Sequence, residues 1–135
     1  MDINRILRET FVVEVEHHDE LESTNDRAMQ RAKQGASRLP LLVIADRQTA
    51  GRGRGGNRWW TGPGSLAFSL LLQSAAVESK DNVMLGRQLN CHPNNLISLA
   101  AGVAVAETLE PLLKSKEIGI RWPNDVISGG RKLAG

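Results

Sequence analysis

The order of apolar and polar residues along the chain predicts several short strands. Residues 11–16 alternate apolar and acidic side chains, with Val13 and Val15 on one face, which predicts a half-buried strand. A continuous apolar run at 41–45 predicts a buried strand, and residues 65–72 are predicted to form the next buried strand. These three segments would supply the first part of a sheet.

Helices are predicted between and after these strands. Ser23 begins a run of Ser, Thr, Asn and Asp, which are the residues that cap free amides at a helix start, and Gly35 lies where that helix would end. A short helix is predicted at 83–89 and a long one from about residue 95 to 109, ended by Pro111. Because apolar residues nearly surround the long helix, we expect it to be central and buried.

The last part of the sequence predicts a strand and a hairpin. Residues 118–122 are mostly apolar, and residues 126–127 and 132–133 flank a Ser-Gly-Gly-Arg turn. The resulting order is strand, helix, strand, strand, helix, strand and hairpin. This order predicts an α+β domain whose sheet is mixed or antiparallel, with helices on one face.

Length and composition narrow the class of protein. The 135 residues are 41% hydrophobic and 24% charged, which predicts one globular domain over residues 1–135. A net charge of +2 does not by itself argue for a nucleic-acid partner. Cys91 is the only cysteine, so an internal disulfide is excluded and a reducing compartment is favoured. With no signal peptide and no apolar run long enough for a bilayer, we expect a cytoplasmic protein without a membrane partner.

A glycine- and arginine-rich segment at residues 48–64 is a candidate anion-binding loop. It holds six glycines and one proline. Glycine lets the backbone approach a ligand, successive amides bind anions, and guanidinium groups match carboxylate and phosphate oxygens. An exposed turn and an RNA contact of the Arg-Gly type are the alternatives. The segment is neither a P-loop nor a dinucleotide motif, because no Gly-Lys-Ser/Thr and no amphipathic helix follow it.

Polar residues near the end of the chain form a second candidate group. Asn124 and Asp125 follow Trp-Pro, where Asn124 could contact a base or phosphate and Asp125 could hold a cation. A plain turn after a strand, with Trp122 buried, is the alternative. Lys132 is either a solvated edge residue or a cation directed at the anion that the arginine loop binds.

Hydroxyl and amide side chains form a third candidate group. Ser23, Thr24 and Asn25 either cap a helix or contact a ligand, and the two roles are compatible. Gln48 follows a buried strand, so its amide would project from the strand tip. The three histidines have no metal-binding spacing with one another or with Cys91, and the sequence assigns no metal ligand.

Together these motifs resemble the catalytic domain of biotin protein ligases, also called biotin–(acetyl-CoA-carboxylase) ligases or holocarboxylase synthetases. Order and spacing match for Ser-Thr-Asn at 23–25, Gln-Thr-Ala-Gly-Arg-Gly-Arg at 48–54, Trp59, Trp-Pro-Asn-Asp at 122–125 and Lys-Leu-Ala-Gly at 132–135. The resemblance implies the class II synthetase-like biotin/lipoate ligase fold. This chain would be an incomplete, amino-terminal portion of it, without a DNA-binding domain or a carboxy-terminal β-domain.

The resemblance also implies an activity. An ATP-dependent ligase would convert biotin into biotinyl-5'-AMP and then transfer it to a lysine of a biotin carboxyl carrier domain. Mg²⁺ would accompany ATP. No DNA partner is expected, and a homodimer is possible. Biotin would contact Ser23, Thr24, Asn25, Gln48, Gly51, Arg52, Gly53, Arg54 and Lys132, the nucleotide would contact Arg54, Trp59 and Asn124, and Lys132 and Arg54 would be catalytic. A non-catalytic biotin- or adenylate-binding fragment and a lipoate-protein ligase-like enzyme are the alternatives.

Overall fold

The computed structural model describes residues 1–36, 38–53, 56–73, 93–113 and 117–135, of which 93–95 are described by their backbone alone. The helix predicted at 83–89 and the candidate residue Arg54 lie outside these described residues. The chain divides into two compact units, Met1–Ala75 and Ala76–Gly135, and each is described by itself.

The first unit contains two helices and a three-stranded sheet. Its elements are α1 (Ile3–Glu9), β1 (Glu14–Leu21), α2 (Thr24–Lys33), β2 (Leu41–Gln48) and β3 (Ala67–Leu71). The strand order is β1-β2-β3, with β1 parallel and β3 antiparallel to the central β2. The sheet is therefore mixed, as predicted, and α2 makes the crossover that a parallel pair requires.

The sequence analysis did not predict α1. Its start is marked by Asp2, whose carboxylate accepts a hydrogen bond from the Arg5 amide at 2.9 Å. This is an ordinary N-cap, and the residue type alone could have indicated it. The helix is only seven residues long and has no buried residue, so no apolar stripe reveals it.

The core of the first unit lies between β2 and α2. Leu41 and Val43 of β2 are fully buried and pack against Ala28 of α2. The apolar run at 41–45 is thus a buried strand, as predicted. Gly35 lies just after α2 with a φ of +74°, a conformation that favours glycine, so the predicted helix end is also confirmed.

The prediction for β1 placed the strand too early, at residues 11–16. The alternation rule also assigns the acidic residues of this segment to the solvent face. In the structure Glu14 and Glu16 are instead covered by α2. Arg31 donates to Glu14 and Arg27 donates to Glu16, each with an N–O distance of 2.7 Å. Ion pairs therefore join this face of the sheet to the helix.

The prediction that residues 65–72 form a fully buried strand was also wrong. The strand β3 is shorter, and Phe68 is 50% exposed although Ala67 beside it is buried. Successive side chains of a strand point to opposite faces. Leu71 lies on the face of the sheet that α2 covers, and Phe68 lies on the opposite face.

The second unit contains one long helix and an antiparallel sheet. Its elements are α3 (Pro93–Leu109), a short 3-10 helix (Glu110–Leu112), β4 (Ile118–Arg121), β5 (Asp125–Ser128) and β6 (Arg131–Ala134). The strand order is β4-β5-β6. Gly129 and Gly130 form the two-residue turn with φ values of +55° and +76°, which confirms the predicted hairpin.

The expected burial of α3 is not observed. Ile97 is 69% exposed, and Gly102 and Ala106 are the only buried positions among those whose side chains are described in this helix. The helix packs against β4 and β5, and Gly102 lies against the turn between these two strands. No helix in the described part of the chain combines the length and apolar composition needed to cross a membrane.

Candidate functional site

The start of α2 presents buried hydroxyl groups at the end of the first sheet. Ser23 is the N-cap, and its Oγ accepts a hydrogen bond from the Asp26 amide at 3.4 Å. Ser23 and Thr24 are each 4% exposed, whereas Asn25 lies at the surface. Ser23 therefore caps α2, as predicted. Thr24 is the first residue of the helix, and its buried hydroxyl is not the cap.

Gln48 links this helix start to the sheet. It is the last residue of β2, the position that its place after the apolar run predicts. Its Oε1 accepts from the Thr24 amide at 2.8 Å and from the Thr24 hydroxyl at 3.1 Å. Its Nε2 lies 3.5 Å from the Thr61 hydroxyl, and Ser69 donates to Thr24 Oγ1 at 2.9 Å. One carboxamide thus connects α2, β2 and the glycine-rich loop.

Sequence reasoning missed two members of this network, Thr61 and Ser69. Ser69 carried a usable indication, because a hydroxyl inside an otherwise apolar strand needs a partner when it is buried. Thr61 carried none, since a threonine within a Gly/Pro-rich segment is ordinary loop composition. Its burial, at 8% exposure, is known only from the structure.

The glycine- and arginine-rich segment folds back on itself. The Trp59 amide donates to the Gly51 carbonyl at 2.8 Å, and the Gly53 amide donates to the Asn57 carbonyl at 2.6 Å. Between these two bonds, the backbone of Arg52 forms an antiparallel bridge with that of Arg58. The described ends of the loop are therefore paired by backbone hydrogen bonds.

Gly51 brings this loop against the hydroxyl and amide network. A Cβ at this position would lie 2.7 Å from the Trp59 carbonyl oxygen and 2.8 Å from Gln48 Nε2. No side chain fits into that space. The loop and the Thr24–Gln48 pair consequently form one continuous group, which we call the loop cluster (Ser23, Thr24, Gln48, Gly51, Arg52, Gly53 and Thr61).

The charge of the loop cluster is carried by Arg52. Its Nη2 donates to the Asp26 carboxylate in the first turn of α2. The Arg52 side chain is 69% exposed, so it is accessible to a dissolved anion. Trp59, the residue expected near the adenine, is half-buried.

The second unit carries the remaining candidate residues. The Lys132 ammonium on β6 donates to Asp125 Oδ1 on β5 at 2.7 Å. The cation that Asp125 holds is thus Lys132. A Cβ at Gly135 would lie 2.6 Å from Lys132 Cε and 2.7 Å from Asp125 Oδ1, so a side chain there would displace the flexible end of Lys132 from this pair.

Asn124 lies in the turn between β4 and β5. Gly102 of α3 packs against it, since a Cβ there would be 3.4 Å from the Asn124 Cα. Trp122 is 56% exposed, so the interpretation of this turn as the exit of a buried Trp was wrong. Among the described residues, no three or more His, Cys, Asp or Glu side chains are arranged to hold a metal ion.

Comparison with known proteins agrees with these motifs. Residues 19–135 match the Biotin/lipoate A/B protein ligase family. The chain belongs to this family. It is 37% identical over 115 residues to a biotin–(acetyl-CoA-carboxylase) ligase of Mycobacterium tuberculosis, a match that covers 84% of this chain and 39% of that relative.

Solved structures of family members have the same fold. A biotin acetyl coenzyme A carboxylase synthetase from Helicobacter pylori, with biotinylated ATP bound, superimposes with a TM-score of 0.63 at 28% identity, covering 88% of this chain and 51% of that one. The biotin protein ligase of Aquifex aeolicus, in complex with biotin and ATP, gives 0.62 at 29% identity and covers 89% and 44%. The predicted family and fold class are confirmed, and this chain spans about half or less of each of these three proteins.

Proposed function

We propose that this chain belongs to an ATP-dependent biotin protein ligase. In the first step the biotin carboxylate attacks the α-phosphorus of ATP, the bond to pyrophosphate breaks, and biotinyl-5'-AMP forms. In the second step a lysine amine of a biotin carboxyl carrier domain attacks the acyl carbon, and AMP leaves with the bonding electrons. Both steps need positioning and charge stabilisation rather than a covalent enzyme intermediate.

The observation that carries this proposal is the contact between Gly51 and Gln48. A neutral, ring-shaped ligand with donors and acceptors needs hydroxyl and amide partners, whereas a carboxylate needs cationic groups and backbone amides. The loop cluster offers both kinds of group side by side, because Gly51 leaves no space between the loop and the Gln48 amide. Biotin has these two ends.

The hydroxyl and amide end of the cluster is preorganised. Gln48 and Thr24 are already joined by two hydrogen bonds, and Thr24 is buried, so their positions need not change when a ligand arrives. Groups that are ordered before binding lose little entropy on binding. The proposal assigns Ser23, Thr24, Asn25 and Gln48 to the ring end of biotin and Gly51, Arg52 and Gly53 to its carboxylate.

The charge at the reacting atoms is assigned to Lys132 by the family resemblance. An ammonium at the carboxylate and α-phosphate would stabilise the negative charge that develops there. Asp125, within 2.7 Å, would keep that ammonium directed. Mg²⁺ would arrive on the phosphates of ATP as part of the substrate, which is its usual mode of binding in enzymes that use ATP.

The relatives support this choice of substrates. The Aquifex aeolicus protein was solved in complex with biotin and ATP, and the Helicobacter pylori protein with biotinylated ATP. Both are matched over nearly nine tenths of the present chain. The same ligands are therefore the first to test here.

Biotin-dependent exchange of labelled pyrophosphate into ATP tests the first step, and transfer of labelled biotin to a purified carrier domain tests the second. We expect exchange with biotin and none with lipoate. Exchange with lipoate alone would favour a lipoate ligase. Biotin binding by calorimetry without any exchange would favour a binding module, and a folded chain that binds neither acid would contradict the proposal.

A further inference from the structure

We propose that Asp26 holds the Arg52 guanidinium in the ligand-free protein and competes with the biotin carboxylate for it. Asp26 would then set biotin affinity as a positioning residue, without touching biotin itself. This inference rests on the proposed function, because it assumes that Arg52 binds the biotin carboxylate.

The contact joins the loop to the helix that starts the site. Asp26 lies in the first turn of α2, three residues after the N-cap Ser23, and its amide is fixed by the Ser23 hydroxyl. Its carboxylate accepts a hydrogen bond from Arg52 Nη2. The carboxylate therefore belongs to the same turn as Thr24, beside the place assigned to biotin.

The backbone of Arg52 is held, and its side chain is exposed. Arg52 pairs with Arg58 in an antiparallel bridge, and the glycines on both sides of it are hydrogen-bonded across the loop. The side chain, 69% exposed, can exchange one carboxylate for another while these backbone bonds stay intact. Exchange thus requires side-chain rotation alone, which is fast for an exposed residue.

The Asp26–Arg52 ion pair is weak enough for the biotin carboxylate to displace it. Asp26 is 42% exposed, and ion pairs between exposed side chains contribute little to stability. An arginine binds a carboxylate best through two parallel N–H···O bonds, so an aspartate that occupies one arm of the guanidinium prevents the two-armed grip. Asp26 would weaken biotin binding measurably without blocking it.

The test compares two neutralising substitutions. Asp26→Asn removes the competing charge and keeps the size of the side chain. Glu20→Gln is the matched control, because it removes a carboxylate from a second exposed pair of the same unit, Arg47–Glu20. By calorimetry we expect Asp26→Asn to bind biotin about two- to fivefold more tightly, the range for one exposed ion pair. The control should bind as the unaltered protein does.

Two further measurements separate this effect from a general change in charge. Biotin amide has no carboxylate, so Asp26→Asn should leave its affinity unchanged. In an Arg52→Ala background, Asp26→Asn should no longer tighten biotin binding, because Asp26 acts through Arg52. A gain that persists there, or weaker biotin binding by Asp26→Asn alone, would overturn the inference.

A ligand-free measurement keeps this inference distinct from the proposed function. The guanidinium ¹⁵N resonances of Arg52 should be separate in the unaltered chain, where Asp26 restrains rotation, and should merge in Asp26→Asn. Merging without any biotin binding would show that the contact exists and that the proposed function fails. Unchanged resonances alongside normal biotin binding would overturn the role of Asp26 alone.

Discussion

The two groups of candidate residues are held in place by different kinds of contact. In the loop cluster, Thr24 is almost completely buried, and its amide and hydroxyl both bond to Gln48. In the second unit, Lys132 lies on a hairpin strand with 40% of its side chain exposed and its ammonium on Asp125. One group is therefore part of a packed interior, and the other is presented on a surface.

This difference decides how far function can be separated from folding. A buried donor or acceptor that loses its partner costs about 1–3 kcal/mol of unfolding free energy. An exposed ion pair contributes about 0–1 kcal/mol. Substitutions at the buried Thr24–Gln48 pair should thus lower both binding and stability, whereas substitutions at Lys132 should leave stability nearly unchanged.

The largest expected effect belongs to Lys132→Ala. Removing a cation from charge that develops in the transition state costs at least about 100-fold in rate. We expect biotin-dependent pyrophosphate exchange to fall by that factor or more, while the thermal midpoint changes by no more than about 4 °C. Pyrophosphate exchange and a circular dichroism melt on the same sample measure the two quantities.

The matched control for this prediction is Arg131→Ala. Arg131 is the preceding residue of β6, is also exposed, and points to the opposite face of the strand. It should retain most of the exchange activity. Equal losses in the two variants would mean that net charge, rather than the position of Lys132, matters.

Gly51→Ala should have the next largest effect, and it should lower both the unfolding free energy and the affinity for biotin. The new Cβ would lie 2.7 Å from a backbone carbonyl and 2.8 Å from Gln48 Nε2, so the loop or the amide has to move. Overpacking of this kind costs about 1–3 kcal/mol. We expect urea denaturation to show that loss and calorimetry to show at least tenfold weaker biotin binding.

Gly62→Ala is the control for this substitution. Its Cβ would lie 2.8 Å from the ring of Trp60, which is 83% exposed and can turn away into solvent. Its stability should change by less than about 0.5 kcal/mol. If Gly51→Ala were as mild as Gly62→Ala, the close packing of loop and amide would not be required for binding.

Gln48→Ala tests the network itself with a smaller expected effect. The Thr24 amide and hydroxyl would lose their shared acceptor, which should lower the unfolding free energy by about 1–2 kcal/mol. Gln30→Ala on the exposed part of α2 should cost less than about 0.5 kcal/mol. Urea denaturation of both variants measures the difference, and equal values would show that the Gln48 hydrogen bonds add nothing to stability.

The sequence predicted those parts of the fold that depend on local residue types. The cap at Ser23, the helix end at Gly35 and the Gly129–Gly130 turn each follow from the conformational preference of a single residue or pair. The family motifs likewise follow from residue order. These elements need no information about distant parts of the chain.

The errors concern the surroundings of each element, which residue order does not contain. Phe68 is apolar, yet it lies on the face of β3 opposite α2. Glu16 is acidic, yet α2 covers it with arginines. The partnership of Asp26 with Arg52 joins residues 26 positions apart, and only the tertiary structure brings them together. Pattern rules assign a side chain to solvent or core without knowing its partner.

The smallest expected effect is a pH dependence in the first unit. Burial of Glu16 raises its pKa, but hydrogen bonds from Arg27 and His18 and the charges of Arg27 and Arg31 outweigh burial, so the pKa lies below its ordinary value. A carboxyl whose pKa is lower in the folded state stabilises the fold above its unfolded pKa and loses that contribution as the pH falls through the folded pKa. The loss should therefore begin below about pH 5.

Glu16→Gln provides the measurement. The unfolding free energy of the unaltered chain should exceed that of Glu16→Gln near neutral pH, and the difference should shrink as the pH falls below about 5. With Arg27→Gln in both chains the pH dependence should be weaker, because Arg27 donates hydrogen bonds to Glu16 and supplies part of the charge that lowers its pKa. An unchanged pH dependence would mean that Arg27 does not lower the pKa of Glu16.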